Sequence, residues 1–230
     1  MTIPDFCTDN PFEAGFLGRP VWSLKDASKA IDTVNMAKAA DVGLINCRLP
    51  EGEDVLALKA AGFRLVETLV TLRAAIWKVD DVPKNIRRTQ IADADACGLV
   101  ARATFKDDRF HQDPEISNDV ADDIKAAWVE NSVKGRANAV FCAEINREIV
   151  GFNACLLDGD DAVIDLIGVH PQVQGQGVGT NLLDVMALHY RGRASHIRLG
   201  TQLSNEASLE FYDSLGFSEV NRAQSWHWTP

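Results

Sequence analysis

The chain has 230 residues, 46% of them hydrophobic and 24% charged, with a net charge of −10, which suits one large or two small globular domains and argues against sequence-independent binding to nucleic acid or an anionic membrane. No apolar run approaches the roughly 20 residues that span a bilayer, and no basic-then-apolar leader stands at the N-terminus. Cys7, Cys47, Cys97, Cys142 and Cys155 are scattered without CxxC pairs, which points to a cytoplasmic protein with reduced thiols and no metal site.

In chain order, the first part reads as a helix over Ala27–Ala39, a strand over Gly43–Arg48, and a helix closing through Gly62-Phe63 into a further strand. A charged segment from Val79 to Arg88, containing Pro83, divides the chain into domains of residues 1–80 and 84–230. The second part predicts a strand at Ile86–Ile91, then helices at Ala92–Thr104 and Asp119–Val133. Strands at Ala139–Ile145 and Glu148–Leu157 follow, joined by a two-residue turn, Asn146-Arg147. A strand at Val163–Val169, a helix at Val178–Tyr190, a strand at His196–Thr201 and a helix from Asn205 come next, with closing strands at Phe217–Arg222 and Ser225–Trp228. Such alternation implies an α/β (α+β) architecture, a mixed central sheet flanked by helices.

The densest signal is Gln172-Val173-Gln174-Gly175-Gln176-Gly177-Val178-Gly179-Thr180, set between a strand and a helix. The first-turn amides of that helix have no intrahelical acceptor, and the helix dipole adds roughly half a positive charge there, so an anion is favoured. No lysine follows the last glycine, which excludes the nucleoside-triphosphate loop, and the spacing does not fit the dinucleotide fingerprint. Downstream, Asn205 to Phe217 reads as a capped helix closed by Gly216. A step of about 100° per residue puts Asn205, Ser208 and Tyr212 on one face, with Phe211 turned away.

The loop and the Asn205–Phe217 segment together resemble the two signatures of the GCN5-related N-acetyltransferases (GNAT), and the resemblance covers roughly Ile86 to Trp228. It implies the GNAT fold, with a mixed, mostly antiparallel sheet, and acetyl-CoA as co-substrate. Gln174, Gly175, Gln176, Gly177, Val178, Gly179 and Thr180 would cradle its pyrophosphate. Its pantetheine arm would pair with the strand around Leu166, Ile167 and Val169, where a free N–H, that of Val169, would polarise the thioester carbonyl. Asn205 and Ser208 would meet the arm, and the catalytic Tyr212 would reach the sulfur. A phenol of pKa about 10 facing a thiolate of about 8.5 serves as a hydrogen-bond donor with late proton transfer. His111, Asp113, Glu144, Asp165 and His170 are candidate general bases; direct proton loss through water is the alternative.

The first part carries an echo. Leu58 to Val66 aligns with Tyr212 to Val220 around the shared Gly-Phe, so residues 1–80 read as a degenerate half-copy of the same fold. Val21 to Asp26, in the place of the loop, has no glycine, so one coenzyme site is expected per chain.

Asn10–Gly18, Gly62–Glu67, Arg109-Phe110 and Trp128–Gly135 further resemble the TDP-fucosamine acetyltransferases, which implies a dTDP-linked 4-amino-4,6-dideoxy sugar as acceptor. The chain departs from that group at Gly15-Phe16-Leu17-Gly18 and at His111-Gln112-Asp113-Pro114, two places expected to line the acceptor pocket. Arg109 and His111 are the candidate substrate contacts, with Lys134 and Arg136 as further partners for a diphosphate. Rival readings are acetylation of another small amine, a peptide or a protein N-terminus, which an acidic surface would suit, and a non-catalytic acyl-CoA-binding module. A homodimer is compatible with all of these.

Overall fold

The computed structural model describes residues 3–81 and 83–230; Val82, inside the dividing segment, lies outside the described residues. The first part supplies β1 (Cys7–Asp9), α1 (Pro11–Leu17), β2 (Val21–Leu24), α2 (Ala30–Ala39), β3 (Leu44–Pro50), α3 (Leu56–Ala60) and β4 (Arg64–Ala75). After the dividing segment come β5 (Ile86–Arg88), α4 (Ala94–Thr104), α5 (Asn118–Asn131), β6 (Ala139–Ile145), β7 (Glu148–Asp158) and β8 (Asp161–Val169). The chain closes with α6 (Val178–Tyr190), β9 (His196–Gln202), α7 (Glu206–Ser214) and β10 (Ser218–Trp228).

Several boundaries differ from the sequence reading, each for a local reason. The strand begun at Ile86 stops at Arg88, because Gln90 and Asp93 form a reciprocal capping box around a short 3₁₀ turn. The helix expected from Ala27 starts as a 3₁₀ turn capped by Asp26, and α5 gives way to a π-turn over Ser132–Arg136, in which Gly135 takes φ 118°. The two closing strands are one strand, β10, which carries its polar middle, Asn221 to Gln224, through the sheet. Asn146 and Arg147 both have positive φ, 52° and 68°, the pair a tight type I′ hairpin turn between β6 and β7 requires.

All ten strands form one sheet in the order β1-β2-β3-β10-β4-β9-β8-β7-β6-β5. Only β2/β3 and β8/β9 are parallel. β6 shows why both faces are covered: Ala139, Phe141 and Ala143 pack toward α6, while Val140 and Cys142 pack toward α4 and α5. On the first part of the sheet, α2 and α3 cover one face with Trp22, Ile45, Phe63, Trp226 and Trp228. The other face is closed by α1, α5 and the loop bearing Phe110.

The register of β4 against β10 is symmetric. Leu69 lies opposite Ala223, the pairing runs from Ser218–Arg73 to His227–Arg64, and the bulges leave Val66 and Val220 unpaired. Under the sequence offset that separates Gly62 from Gly216, the Leu69–Ala223 pair maps onto itself and every other pair onto another. An approximate two-fold axis therefore passes through Leu69 and Ala223, exchanging β3 with β9 and β2 with β8. The turns obey it too: Phe63 N–H donates to Leu58 O and Phe217 N–H to Tyr212 O, both at 3.0 Å, with Gly62 at φ 87° and Gly216 at φ 82°.

Candidate active site

Beside that axis, β8 parts from β9. The two strands pair only from Asp161–His196 to Ile164–Leu199. At the same point Asp165 is the extra residue of a bulge, since Ile164 pairs with Cys155 and Leu166 with Ala154. Bulges bend a strand and re-aim side chains beside sites; here the bulge turns β8 away and opens a cleft of about 360 Å³. One edge of β8 is thereby left without a strand. His170 N–H donates to Val150 on the β7 side at 2.8 Å, so by alternation the Val169 N–H points the other way, into the gap.

At the end of β8, Gln174 folds back and its Nε2 donates to Val169 O at 2.9 Å. Gly175 and Gly177 take left-handed φ of 73° and 79°, and the space a Cβ would fill at each is open. Gly177 is the N-cap of α6, so the amides of Val178, Gly179 and Thr180 have no acceptor within the helix. Gly179 serves packing instead: a Cβ there would stand 3.2 Å from the Phe211 ring, which lets α6 and α7 approach. Gln176 closes the turn with a long bond from Nε2 to Gln172 O at 3.4 Å. Two left-handed glycines and a row of free amides make an anion cradle that the residues present can supply to a pyrophosphate.

Asn205, Ser208 and Tyr212 of α7 all line the cleft, as do Leu166 and Ile167 of β8. Asn205 Oδ1 is spent on capping α7 through Ser208 N–H at 3.1 Å, which leaves its Nδ2 to donate. Tyr212 is 5% exposed, and burial raises its pKa, so the phenol stays protonated at any working pH. It can donate a hydrogen bond in the cleft but cannot act there as a base.

Of the base candidates, only Asp165 lines the cleft. Trp128 Nε1, at 2.9 Å, and Arg136 both donate to its Oδ2, and among the described residues Oδ1 has no donor. His111 is held elsewhere: its ring nitrogens lie 2.8 Å from Asp108 and 3.0 Å from Asp122. Burial pulls the His111 pKa down, but the two carboxylates outweigh it and the net shift is upward. That histidine pins the loop before α5. Asp113 is buried under β10 with Arg64 and His227, Glu144 pairs with Arg87, and His170 caps a 3₁₀ turn. Arg109 does reach the cleft, its guanidinium 4.3 Å above the Phe110 ring and paired with Glu13.

Among the cleft residues not singled out in the sequence, Glu67, Arg48 and Lys125 carry charge into its walls. Glu67 of β4, with only 3% of its side chain exposed, accepts from Arg48 Nη2 (2.8 Å), Ser225 Oγ (2.9 Å) and Gln202 Nε2 (3.0 Å). Arg48 comes from β3, so the first part of the chain builds one wall. Lys125 stands 5.4 Å from the Phe105 and Trp128 rings and 5.7 Å from Phe110, facing Asp108 at 3.6 Å. Burial lowers its pKa against the pull of Asp108.

A family model described as "Acetyltransferase (GNAT) family" matches residues 102–217. The chain is similar to the spore coat polysaccharide biosynthesis protein SpsD of Bacillus subtilis, 30% identical over 139 residues, 60% of this chain and 48% of that one. It is also similar to an uncharacterized N-acetyltransferase of Methanocaldococcus jannaschii, 33% identical over 104 residues, 41% of this chain and 45% of that one. The chain thus spans about half the length of the curated relatives it matches. A functionally unknown conserved protein from Staphylococcus epidermidis has the same fold at 15% identity, with a TM-score of 0.68 over 99% of this chain and 92% of its own.

Proposed function

Since the chain belongs to the acetyltransferase (GNAT) family, we propose that it is an acetyl-CoA-dependent N-acetyltransferase whose acceptor is a nucleotide-linked (dTDP) 4-amino-4,6-dideoxy sugar. The observation that carries the reaction is the coincidence of three features at one gap: the parted edge of β8, the amide cradle at α6, and the Tyr212 hydroxyl of α7. The residues present fit the co-substrate. Backbone amides of residues 175–180 would take the pyrophosphate, the open edge of β8 the pantetheine amides, and Val169 N–H the thioester oxygen. Tyr212 would donate to the departing sulfur.

Asp165 would take up the amine's proton through water, because one of its oxygens is unspent whereas both oxygens of Glu67 are held. Arg136 and Trp128 fix that carboxylate in place. The sugar assignment rests on similarity to a polysaccharide-biosynthesis protein and on a cleft whose walls carry Arg48, Arg109 and Trp128, groups suited to sugar hydroxyls, phosphate and an apolar sugar face. Residues 1–80 act, in this reading, as a degenerate half-copy that shapes the acceptor wall and holds no coenzyme. The symmetric β4/β10 register supports that view.

The test is coenzyme A release from acetyl-CoA across a panel of dTDP-amino sugars, free amino sugars, polyamines and peptides. Selective turnover of a dTDP-amino sugar is expected. Turnover confined to polyamines or peptides would overturn the acceptor and leave the chemistry standing, and binding of acetyl-CoA without any turnover would leave an acyl-CoA-binding module.

A further inference from the structure

A second cavity, of about 280 Å³, lies between α1 and α5 and is lined by Asn10, Phe12, Glu13, Trp128, Asn131 and Arg136. It adjoins the acetyl-transfer cleft. Trp128 lines both spaces, Asp165 of the cleft holds both Trp128 and Arg136, and Glu13 of the second cavity is paired with Arg109 of the first. A molecule reaching from one to the other would pass Trp128 between the Arg109 and Arg136 guanidinium groups.

The lining has an unusual chemistry for a surface groove. Phe12 and Trp128 meet edge to face, with centroids 6.0 Å apart and planes at 84°, and so form an aromatic corner against which a flat ring can lie. Glu13 is 2% exposed, yet its Oε2 has no partner among the described residues, the kind of buried orphan acceptor that calls for an explanation. Asn10 has given its Oδ1 to Glu13 N–H and retains only donors, while the Asn131 amide can supply a donor. Donor, acceptor, donor is the complement of a pyrimidine imide edge, whose ring N–H lies between two carbonyls. Arg136, held over Trp128 at 5.4 Å, is the cation of the lining, placed for phosphate.

We propose that this α1–α5 cavity, with Phe12, Glu13, Trp128, Asn131 and Arg136, binds the pyrimidine nucleoside diphosphate of the acceptor, leaving the amino sugar to extend past Trp128 into the acetyl-transfer cleft. The proposal deepens the nucleotide-sugar reading above and rests on it. It gives α1 a purpose that the acetyl-transfer chemistry does not, and it makes the second diphosphate site separate from the amide cradle at α6.

The experiment is calorimetric titration of the whole chain with dTDP, UDP and ADP, with acetyl-CoA titrated in parallel. Asn131→Ala removes an exposed amide at the end of α5, and Phe12→Ala opens the aromatic corner; the first variant leaves the core intact if the second unfolds. Binding of dTDP and UDP that weakens tenfold or more in Asn131→Ala, with acetyl-CoA affinity unchanged, is the expected result. Unchanged dTDP affinity in both folded variants would place the nucleotide elsewhere and overturn this site while the nucleotide-sugar reading survives. Equal binding of ADP with the coenzyme site first saturated by acetyl-CoA would overturn the pyrimidine assignment. A wild-type protein that binds neither dTDP nor UDP, yet acetylates free amines, would remove the parent reading and this site with it.

Discussion

Leu58 and Tyr212 occupy the same place in two turns that share their hydrogen bonds, their left-handed glycine and their buried phenylalanine, yet of the two only Tyr212 lines the cleft. Leu58 is fully buried against Phe63 and the tryptophans of β10, whereas Tyr212, though buried, forms part of the cleft lining. The helices that precede them differ in the same way. α6 begins at a left-handed glycine with free amides, while the stretch into α2 begins with Asp26, whose carboxylate occupies the Ser28 N–H at 3.0 Å and would repel an anion. The comparison teaches that turn geometry and ligand chemistry are separable. A few glycine and hydroxyl positions decide whether one backbone arrangement binds or merely packs.

Exchanging roles between the two turns is the sharpest way to break that comparison. Tyr212→Phe should lower kcat a hundred- to a thousandfold, about 3–4 kcal/mol, with acetyl-CoA affinity and melting temperature nearly unchanged; a kcat within threefold of wild type in steady-state kinetics would take Tyr212 out of the reaction. Leu58→Ala should do the converse, costing about 3 kcal/mol of stability in urea unfolding with kcat retained in the folded fraction. The ends of the paired strands allow a third contrast. His227 of β10 holds Asp113 in a fully buried pair at 2.8 Å, while the corresponding Arg73 of β4 holds Asp161 at a partly open site.

Burial pushes the Asp113 carboxyl up, but the hydrogen bonds from His227, the Glu115 N–H and Arg64 together outweigh it and draw it down to about 2, so it contributes stability that is complete above about pH 4 and is lost as the pH falls through about 2. His227 is kept neutral by burial, so folding loses ground as the pH drops below about 6.5, where the unfolded imidazole takes up a proton. Asp113→Asn should therefore cost roughly 2 kcal/mol at neutral pH and flatten the acid limb of the stability profile, while Asp161→Asn should cost under about 1 kcal/mol. An identical acid limb in wild type and Asp113→Asn would refute the first. The smallest contrast expected is between the two glycines: Gly62→Ala and Gly216→Ala should each cost about 1–2 kcal/mol, by equal amounts; chemical denaturation that separates them by more than the extrapolation error would show that the two turns are not equivalent.

Sequence carried the parts of this molecule that are written locally. The glycine loop, the Asn205 cap, the α6 limits and both Gly-Phe turns depend on neighbours within a few residues, so periodicity and turn chemistry reach them. Strand order depends on partners far apart, and nothing in the sequence of β10 says that it lies between β3 and β4. Its polar centre read as a gap because Asn221 to Gln224 break the apolar pattern, although a neighbouring strand on each side holds them in the ladder. Arg48, Glu67 and Lys125 escaped for a related reason. Each is a charge within a periodic apolar element, a visible signal, but what it faces is set by a cleft that β3, β4, α4, α5, β8, β9 and α7 assemble together. His111 shows the opposite error: its loop position made it a candidate base and substrate contact, whereas Asp108 and Asp122 hold its ring inside the protein.

The central place of β10 also governs how the molecule can be made. Strands β3 and β4 emerge early in synthesis, and neither can pair with the other, because the strand that belongs between them is encoded far downstream. Their edges stay open until α7 has formed and delivered β10, so the high contact order of this single insertion delays the whole sheet. Closure then joins both parts of the chain in one event. A fragment comprising either part alone is left with an unfilled groove or a stranded β10, and an exposed edge that invites pairing with another chain.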